Sequence, residues 1–158
     1  MKTPPAKTLF AVVLLLLLGS SPPAFAADPA ISPADAATQR GYVFTLDLIQ
    51  RYATATKALT AAEARDPSLK AEAGDGSASP DEGIANIKSH PRLYAFFKAQ
   101  GLSERDSVLL GVAIIEAAFA AGENNLSAFP NVTPAQAAFM KTHDAQLRPI
   151  LKGVFTSQ

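Results

Sequence analysis

A histidine and a methionine in the C-terminal part of the chain are the side chains best suited to coordinate a metal ion. His143 lies in an apolar line between Phe139 and Leu147, where an imidazole could bind a metal or haem or transfer a proton. Met140 lies three residues earlier, so a helix would place it on the same side as His143. A Met–His pair can bind copper or haem. The alternative is that both side chains simply pack in or beside a helical core.

Glu116 is the third candidate, because it is the one charged residue in the apolar stretch Val108–Ala121. A buried carboxyl group there could act as an acid or as a metal ligand. Helical spacing also aligns Glu116 with Arg105 and Glu123, which is typical of a solvent-facing line. An enzyme would need an acid–base pair such as Glu116 with His143, meeting across two helices.

The rest of the sequence carries no recognisable catalytic or cofactor motif. It has no cysteine, which excludes disulfides, thiolate metal sites and attached c-type haem. The Glu-x-x-His pairs of di-iron bundles, His-Glu-x-x-His, Gly-x-Ser-x-Gly and a phosphate-binding loop are also missing. We therefore expect a non-catalytic protein without a cofactor, and the metal-site assignment to His143, Met140 and Glu116 stays open.

Residues 1–26 have the pattern of a cleavable signal peptide. Lys2 and Lys7 precede the apolar run Leu9–Leu18, which has about half the length that a membrane span needs. Ser20–Pro23 then breaks the helix, and Ala24–Ala26 places small residues at the cleavage point. The pattern predicts export to the periplasm or the medium, and no stable membrane span after cleavage.

Cleavage after Ala26 would leave 132 residues, 27–158, with a formal charge of −2. A chain so close to neutrality gives no electrostatic reason to expect nucleic acid or an anionic membrane as a partner. Its length is enough for one helical domain whose core supplies the stability without disulfides.

The elements that must position the candidate residues are helices, because start signals recur along the chain. Four hydroxyl residues are each followed three positions later by Asp, Glu or Gln, the pattern of a capping box: Ser32, Ser79, Ser103 and Thr133. The signals and the apolar spacing predict helices at about 33–64, 80–100 (broken near 90–91, where a proline follows a histidine), 104–121 and 134–155.

These elements predict an all-α fold, a single domain resembling a four-helix bundle. The third helix is the best candidate for the centre, and its predicted inner stripe is Val108, Val112, Ile115 and Phe119, broadened by Leu110 and Ile114. In the fourth helix, Pro149 should introduce a kink, because Ala145 loses its backbone partner.

Four short segments carry a resemblance to a known group of proteins: Ala26–Ala27, Ile87–Pro91, Gln100–Asp106 and Thr133–Gln136. Together they make the chain similar to small exported helical proteins of Gram-negative bacteria. No activity is attached to that group, so the resemblance implies only export and helical character.

The leading functional hypothesis is an exported, non-catalytic helical domain that presents a helix surface or shallow groove to a protein, a peptide or a small apolar ligand. This hypothesis rests on a sequence that has clear helix-capping signals and no recognisable set of catalytic residues. The alternative is a metal- or haem-binding helical bundle centred on His143.

Overall fold

The computed structural model describes residues 31–74 and 79–155, and within them every regular element is helical. The predicted all-α class is therefore confirmed, while the predicted signal peptide lies outside the described residues. One short 3₁₀ turn spans Leu126–Ala128. The α-helices are α1 (Pro33–Gly41), α2 (Leu46–Glu63), α3 (Pro67–Ala73), α4 (Pro80–Ser89), α5 (Pro91–Lys98), α6 (Asp106–Glu123), α7 (Pro134–Thr142) and α8 (Asp144–Leu151).

Helix α6 lies at the centre of the described chain, as the sequence predicted for its third helix. It packs against α1, α2, α4 and α7. Small residues let these neighbours approach closely, and Gly111 is the clearest case because the Tyr52 ring of α2 lies directly against it. The fully covered side chains of α6 include Leu109, Leu110 and Ile114.

The buried face of α6 differs from the predicted inner stripe. Leu110 and Ile114 have no exposed surface, whereas Ile115 is 37% exposed and Phe119 is 46% exposed. The prediction that Ile115 and Phe119 face the core is therefore wrong. The physical reason is that α6 is apolar on nearly every side, so the spacing of its apolar residues does not select one face.

The helix predicted over 33–64 is interrupted at residues 42–45, which separate α1 from α2. Thr45 starts the second helix, because its hydroxyl accepts a hydrogen bond from Leu48 N at 3.1 Å. At the end of α1, Gln136 of α7 donates its side-chain amide to the carbonyl oxygens of Gln39 (2.8 Å) and Tyr42 (3.1 Å). A distant residue thus satisfies the backbone groups that the interruption frees.

The helix predicted over 134–155 breaks at His143. His143 leaves helical geometry at φ −102°, ψ 13°, and ends α7. Its Nδ1 lies 3.1 Å from the carbonyl oxygen of Phe139, so the imidazole caps the last turn. Pro149 remains inside α8. The described chain consequently contains eight α-helices where the sequence predicted four, and only α6 keeps the predicted length.

The predicted helix starts are observed. Ser32 accepts a hydrogen bond from Asp35 N, and Ser79 and Thr133 form complete capping boxes. Ser103 makes the same reciprocal pair with Asp106, the first residue of α6. Within residues 31–74 and 79–155, every helix is too short or too polar to span a lipid bilayer.

Candidate functional site

His143 and Met140 lie at the C-terminal end of α7 but differ in environment. Met140 is buried in the main core. The His143 ring is half-buried and stacks on Phe139, with centroids 4.2 Å apart and planes 21° apart. Because Nδ1 faces a backbone carbonyl, a metal ion would have to bind Nε2. The two side chains are thus neighbours on one helix, with roles in packing and capping.

Glu116 lies elsewhere on the fold. Its Oε2 accepts a hydrogen bond from Gln39 Nε2 of α1 at 2.6 Å. Gln39 also contacts Gln136, which belongs to the first turn of α7, whereas His143 ends that helix. The structure therefore joins Glu116 to α1 and does not pair it with His143. In the part of the chain that the structure describes, no three His, Cys, Asp or Glu side chains converge as metal ligands would.

The polar side chains that the structure does bring together hold α1 in place. Two of the three buried residues of α1 are polar, Asp35 and Gln39, and both are almost completely covered. Such a helix gains little from apolar burial, since Ala36 is its only buried apolar side chain. Its position depends on hydrogen bonds to α6 and α7 and on an ion pair with Arg105, which directly precedes α6.

Asp35 is the centre of the first group of contacts. Its Oδ2 accepts a hydrogen bond from Ser32 Oγ at 2.7 Å, and Arg105 Nη2 lies 2.6 Å from Oδ1. Arg105 therefore forms an ion pair with the buried Asp35 carboxylate. Asp81 of α4 is the next neighbour, and its carboxyl group interacts with that of Asp35. We call these four residues the Asp35 cluster.

The contacts within the Asp35 cluster shift the pKa values of Asp35 and Asp81 in opposite directions. Burial alone raises the pKa of Asp35, but the hydrogen bonds from Ser32 and Asp81 and the positive charge of Arg105 bring that pKa below its ordinary value. The pKa of Asp81 is raised, first because it hydrogen-bonds to Asp35 and then through desolvation and the negative charge of Asp35. The two groups therefore titrate as a pair.

A second group of contacts fixes the end of α1 to α6. The Tyr42 hydroxyl donates to Asp106 Oδ1 at 2.7 Å. Burial and the hydrogen bond to Asp106 both raise the pKa of Tyr42, so it remains a neutral donor. Burial also raises the pKa of Asp106, but hydrogen bonds from Ser103 and Tyr42 outweigh it and lower the pKa overall.

The most exposed aromatic surface of the described chain lies on the opposite end of α6. The Phe119 ring stacks on Phe129, with centroids 6.4 Å apart and planes within 8°. Ile115 lies one turn before Phe119, and Leu126, 38% exposed, begins the 3₁₀ turn that leads to Phe129. We call Ile115, Phe119, Leu126 and Phe129 the Phe119 patch.

Sequence reasoning missed both the Asp35 cluster and the Phe119 patch as sites. Asp35 reads in the sequence only as the acidic residue of a capping box, and nothing local indicates that Asp81 or Arg105 will meet it. The Phe119 patch had a signal, because α6 has more apolar residues than one buried face can accommodate. An excess of this kind indicates that some of them remain on the surface.

Comparison of the chain with protein-family models, with curated proteins and with solved structures gives no match.

Proposed function

We propose that this protein is an exported, non-catalytic helical domain that binds an apolar segment of a partner protein through the Phe119 patch. In this proposal residues 1–26 are the signal peptide. The pairs α1–α2, α4–α5 and α7–α8, together with α6, occupy the places of the four helices of a bundle. Export follows from the composition of residues 1–26, and binding from the surface of α6.

The exposure of Phe119 is the observation that carries the binding proposal. An aromatic side chain buries 150–250 Å² when covered, so the 46% that remains exposed corresponds to roughly 90 Å². Covering it would contribute about 2 kcal/mol to association. Its ring is already held by Phe129, so less rotamer entropy is lost when a partner binds.

The surroundings of the patch indicate the chemistry of the partner. The last turn of α6 contains no basic residue, and Glu123 is exposed beside it. Carbonyl groups at a helix C-terminus carry a partial negative charge. An apolar segment with a flanking lysine or arginine therefore fits this surface better than an acidic one. The patch covers roughly 200 Å², which suits an anchor within an interface and is too small to be a whole interface.

Binding can be tested with a synthetic amphipathic peptide of leucine and lysine residues, titrated into the ¹⁵N-labelled protein comprising residues 27–158. We expect the largest chemical-shift changes at Ile115, Phe119 and Phe129. Phe119→Ser should weaken binding by about 10- to 30-fold, because about 2 kcal/mol of apolar contact is lost. Val43→Ser is the matched control, because Val43 is 79% exposed and outside the patch.

Equal weakening by the two substitutions, or shift changes centred away from α6, would contradict the proposal. A separate titration with a short-chain fatty acid distinguishes a protein partner from a small apolar ligand. Binding of the fatty acid at Phe119 without binding of the peptide would mean that the occupant is a small apolar ligand. Export is tested separately by N-terminal sequencing of the processed protein, which should begin at Ala27.

A further inference from the structure

The segment that follows α6 contains two triplets with the pattern Asn-x-Ser/Thr, which is the acceptor pattern for N-linked glycans in exported proteins. The first triplet is Asn125–Ser127 and the second is Asn131–Thr133. A pattern this short recurs by chance, so the surroundings of each asparagine must decide whether an enzyme can use it. The two triplets have very different surroundings.

The Asn125 triplet lies entirely at the surface. Residues 122–128 are all exposed, and the 3₁₀ turn Leu126–Ala128 contributes no buried side chain. Ser127 Oγ donates a hydrogen bond to Asn125 Oδ1 at 2.7 Å, so the hydroxyl and the amide of the acceptor pattern are already in contact. A segment without buried side chains can move into the groove of an enzyme without opening the core.

The Asn131 triplet is instead part of the folded framework. Asn131 is half-buried, and its Oδ1 accepts a hydrogen bond from Arg40 Nη1 at 3.3 Å. Val132 is buried in the main core. Thr133 Oγ1 accepts from Gln136 N in the capping box of α7. An enzyme could use Asn131 only by drawing Val132 out of the core and opening the start of that helix.

We propose that Asn125 is an N-glycosylation acceptor, and that the attached glycan restricts access to the Phe119 patch. This inference rests on the proposed function, because the acceptor pattern is used in exported chains and the patch is the proposed binding surface. Leu126, the residue after Asn125, belongs to the patch and is 38% exposed. A sugar on Asn125 therefore begins at the edge of the surface that the proposed partner covers.

The reaction requires an oligosaccharyltransferase and a polyprenyl-pyrophosphate-linked oligosaccharide as co-reactants. A bond forms between Asn125 Nδ2 and the anomeric carbon of the first sugar, while the bond from that carbon to the pyrophosphate oxygen breaks. Nδ2 releases one proton to the enzyme, and the lipid pyrophosphate leaves with the electron pair of the broken bond. Nothing is oxidised or reduced, and this chain supplies only the acceptor amide.

Treatment of the purified, folded protein with a bacterial oligosaccharyltransferase and its lipid-linked donor tests the acceptor. We expect the protein mass to increase by one glycan. Trypsin releases residues 106–141 as one peptide that contains both triplets, and fragmentation of this peptide should place the sugar on Asn125. Asn125→Gln and Ser127→Ala should abolish the mass increase, whereas Ser127→Thr should retain it because the hydroxyl is kept. Asn131→Gln is the matched control and should leave the modification unchanged.

Titration of the leucine–lysine peptide into the glycosylated protein tests the effect on the Phe119 patch. We expect the affinity to fall about three- to sevenfold relative to the unmodified protein, because the contact with the exposed part of Leu126 is lost. Asn125→Gln, treated with the same enzyme and donor, is the control and should bind the peptide as the unmodified protein does.

An unchanged mass, or a sugar located on Asn131, would overturn the assignment of Asn125. A peptide affinity that the glycan does not alter would overturn the effect on the patch. Failure of the proposed function is distinguishable, since the peptide would then not bind the unmodified protein; the effect on the patch would fall with it, while the mass would still decide the acceptor. Asn125 and Ser127 are exposed, so their variants should fold, which circular dichroism verifies.

Discussion

Gly111 lies where two central helices approach most closely, and replacing it by alanine tests this packing directly. A Cβ atom at this position would overlap the Tyr52 hydroxyl oxygen and lie only 2.9 Å from Tyr52 Cζ. The Tyr52 side chain is buried between α2 and α6, against Phe97, so it has little space to withdraw. One of the two helices must therefore shift to admit a methyl group.

The size of the effect follows from two opposing contributions. Overpacking in a close-packed core costs about 1–3 kcal/mol, and more where a ring is trapped. Alanine favours the helix over glycine by about 1 kcal/mol, which offsets part of that cost. We expect Gly111→Ala to lower the free energy of unfolding by about 1–2 kcal/mol, and the midpoint temperature by about 3–8 °C.

Urea and thermal unfolding, followed by circular dichroism, measure this change, and a double-mutant cycle assigns its cause. Tyr52→Phe removes the overlapping oxygen, so the double variant should be more stable than the sum of the single changes predicts by about 1 kcal/mol. Gly41→Ala is the control, because a Cβ there meets nothing within 4 Å. A Gly111→Ala protein as stable as the unmodified one, or a cycle without coupling, would refute the packing described for α2 and α6.

Three further outcomes follow from the structure. Ile114→Ala should cost about 2–5 kcal/mol, and Ile115→Ala less than about 1 kcal/mol, because only Ile114 is fully buried; equal losses in urea unfolding would mean that the buried face of α6 is assigned wrongly. Arg105→Met should destabilise by about 1 kcal/mol at pH 7 and by less at pH 3, because the positive charge that favours ionised Asp35 is lost; a loss that is independent of pH would exclude this role. Asp66→Asn keeps the helix cap but removes the negative charge. Hydrogen bonds from Ser68 and Arg92 lower the pKa of Asp66 to about 2. The variant should therefore be less stable to unfolding than the unmodified protein at pH 7, and the difference should vanish as the pH falls toward 2.

The helical class and the helix starts could be predicted because their causes are local. Ser79 and Glu82, or Thr133 and Gln136, are three residues apart, and the hydrogen bonds that they make are the ones the sequence indicated. The break at His90 has an equally local cause, since the following proline disfavours helical geometry there.

The corner between α1 and α2 and the Asp35 cluster could not be predicted, because they depend on residues far apart in the chain. The corner between α1 and α2 requires the Gln136 amide, and Asp35 is held by Arg105 and Asp81. Each of these residues reads in the sequence as an ordinary surface or capping side chain. Burial within α6 was ambiguous for another reason: the apolar character of the helix gives no preferred face.

The Gln136 side chain shows how strictly a single position can select its residue type. Its Oε1 accepts from Thr133 N within its own helix, while its Nε2 donates to two carbonyl oxygens at the corner after α1. Glutamate would turn a carboxylate toward those carbonyls, leucine would remove all three hydrogen bonds, and asparagine is one methylene shorter. Only a primary amide at this length can accept from Thr133 N and also donate to the carbonyl groups at the corner after α1. The start of α7 and that corner therefore form a single structural unit.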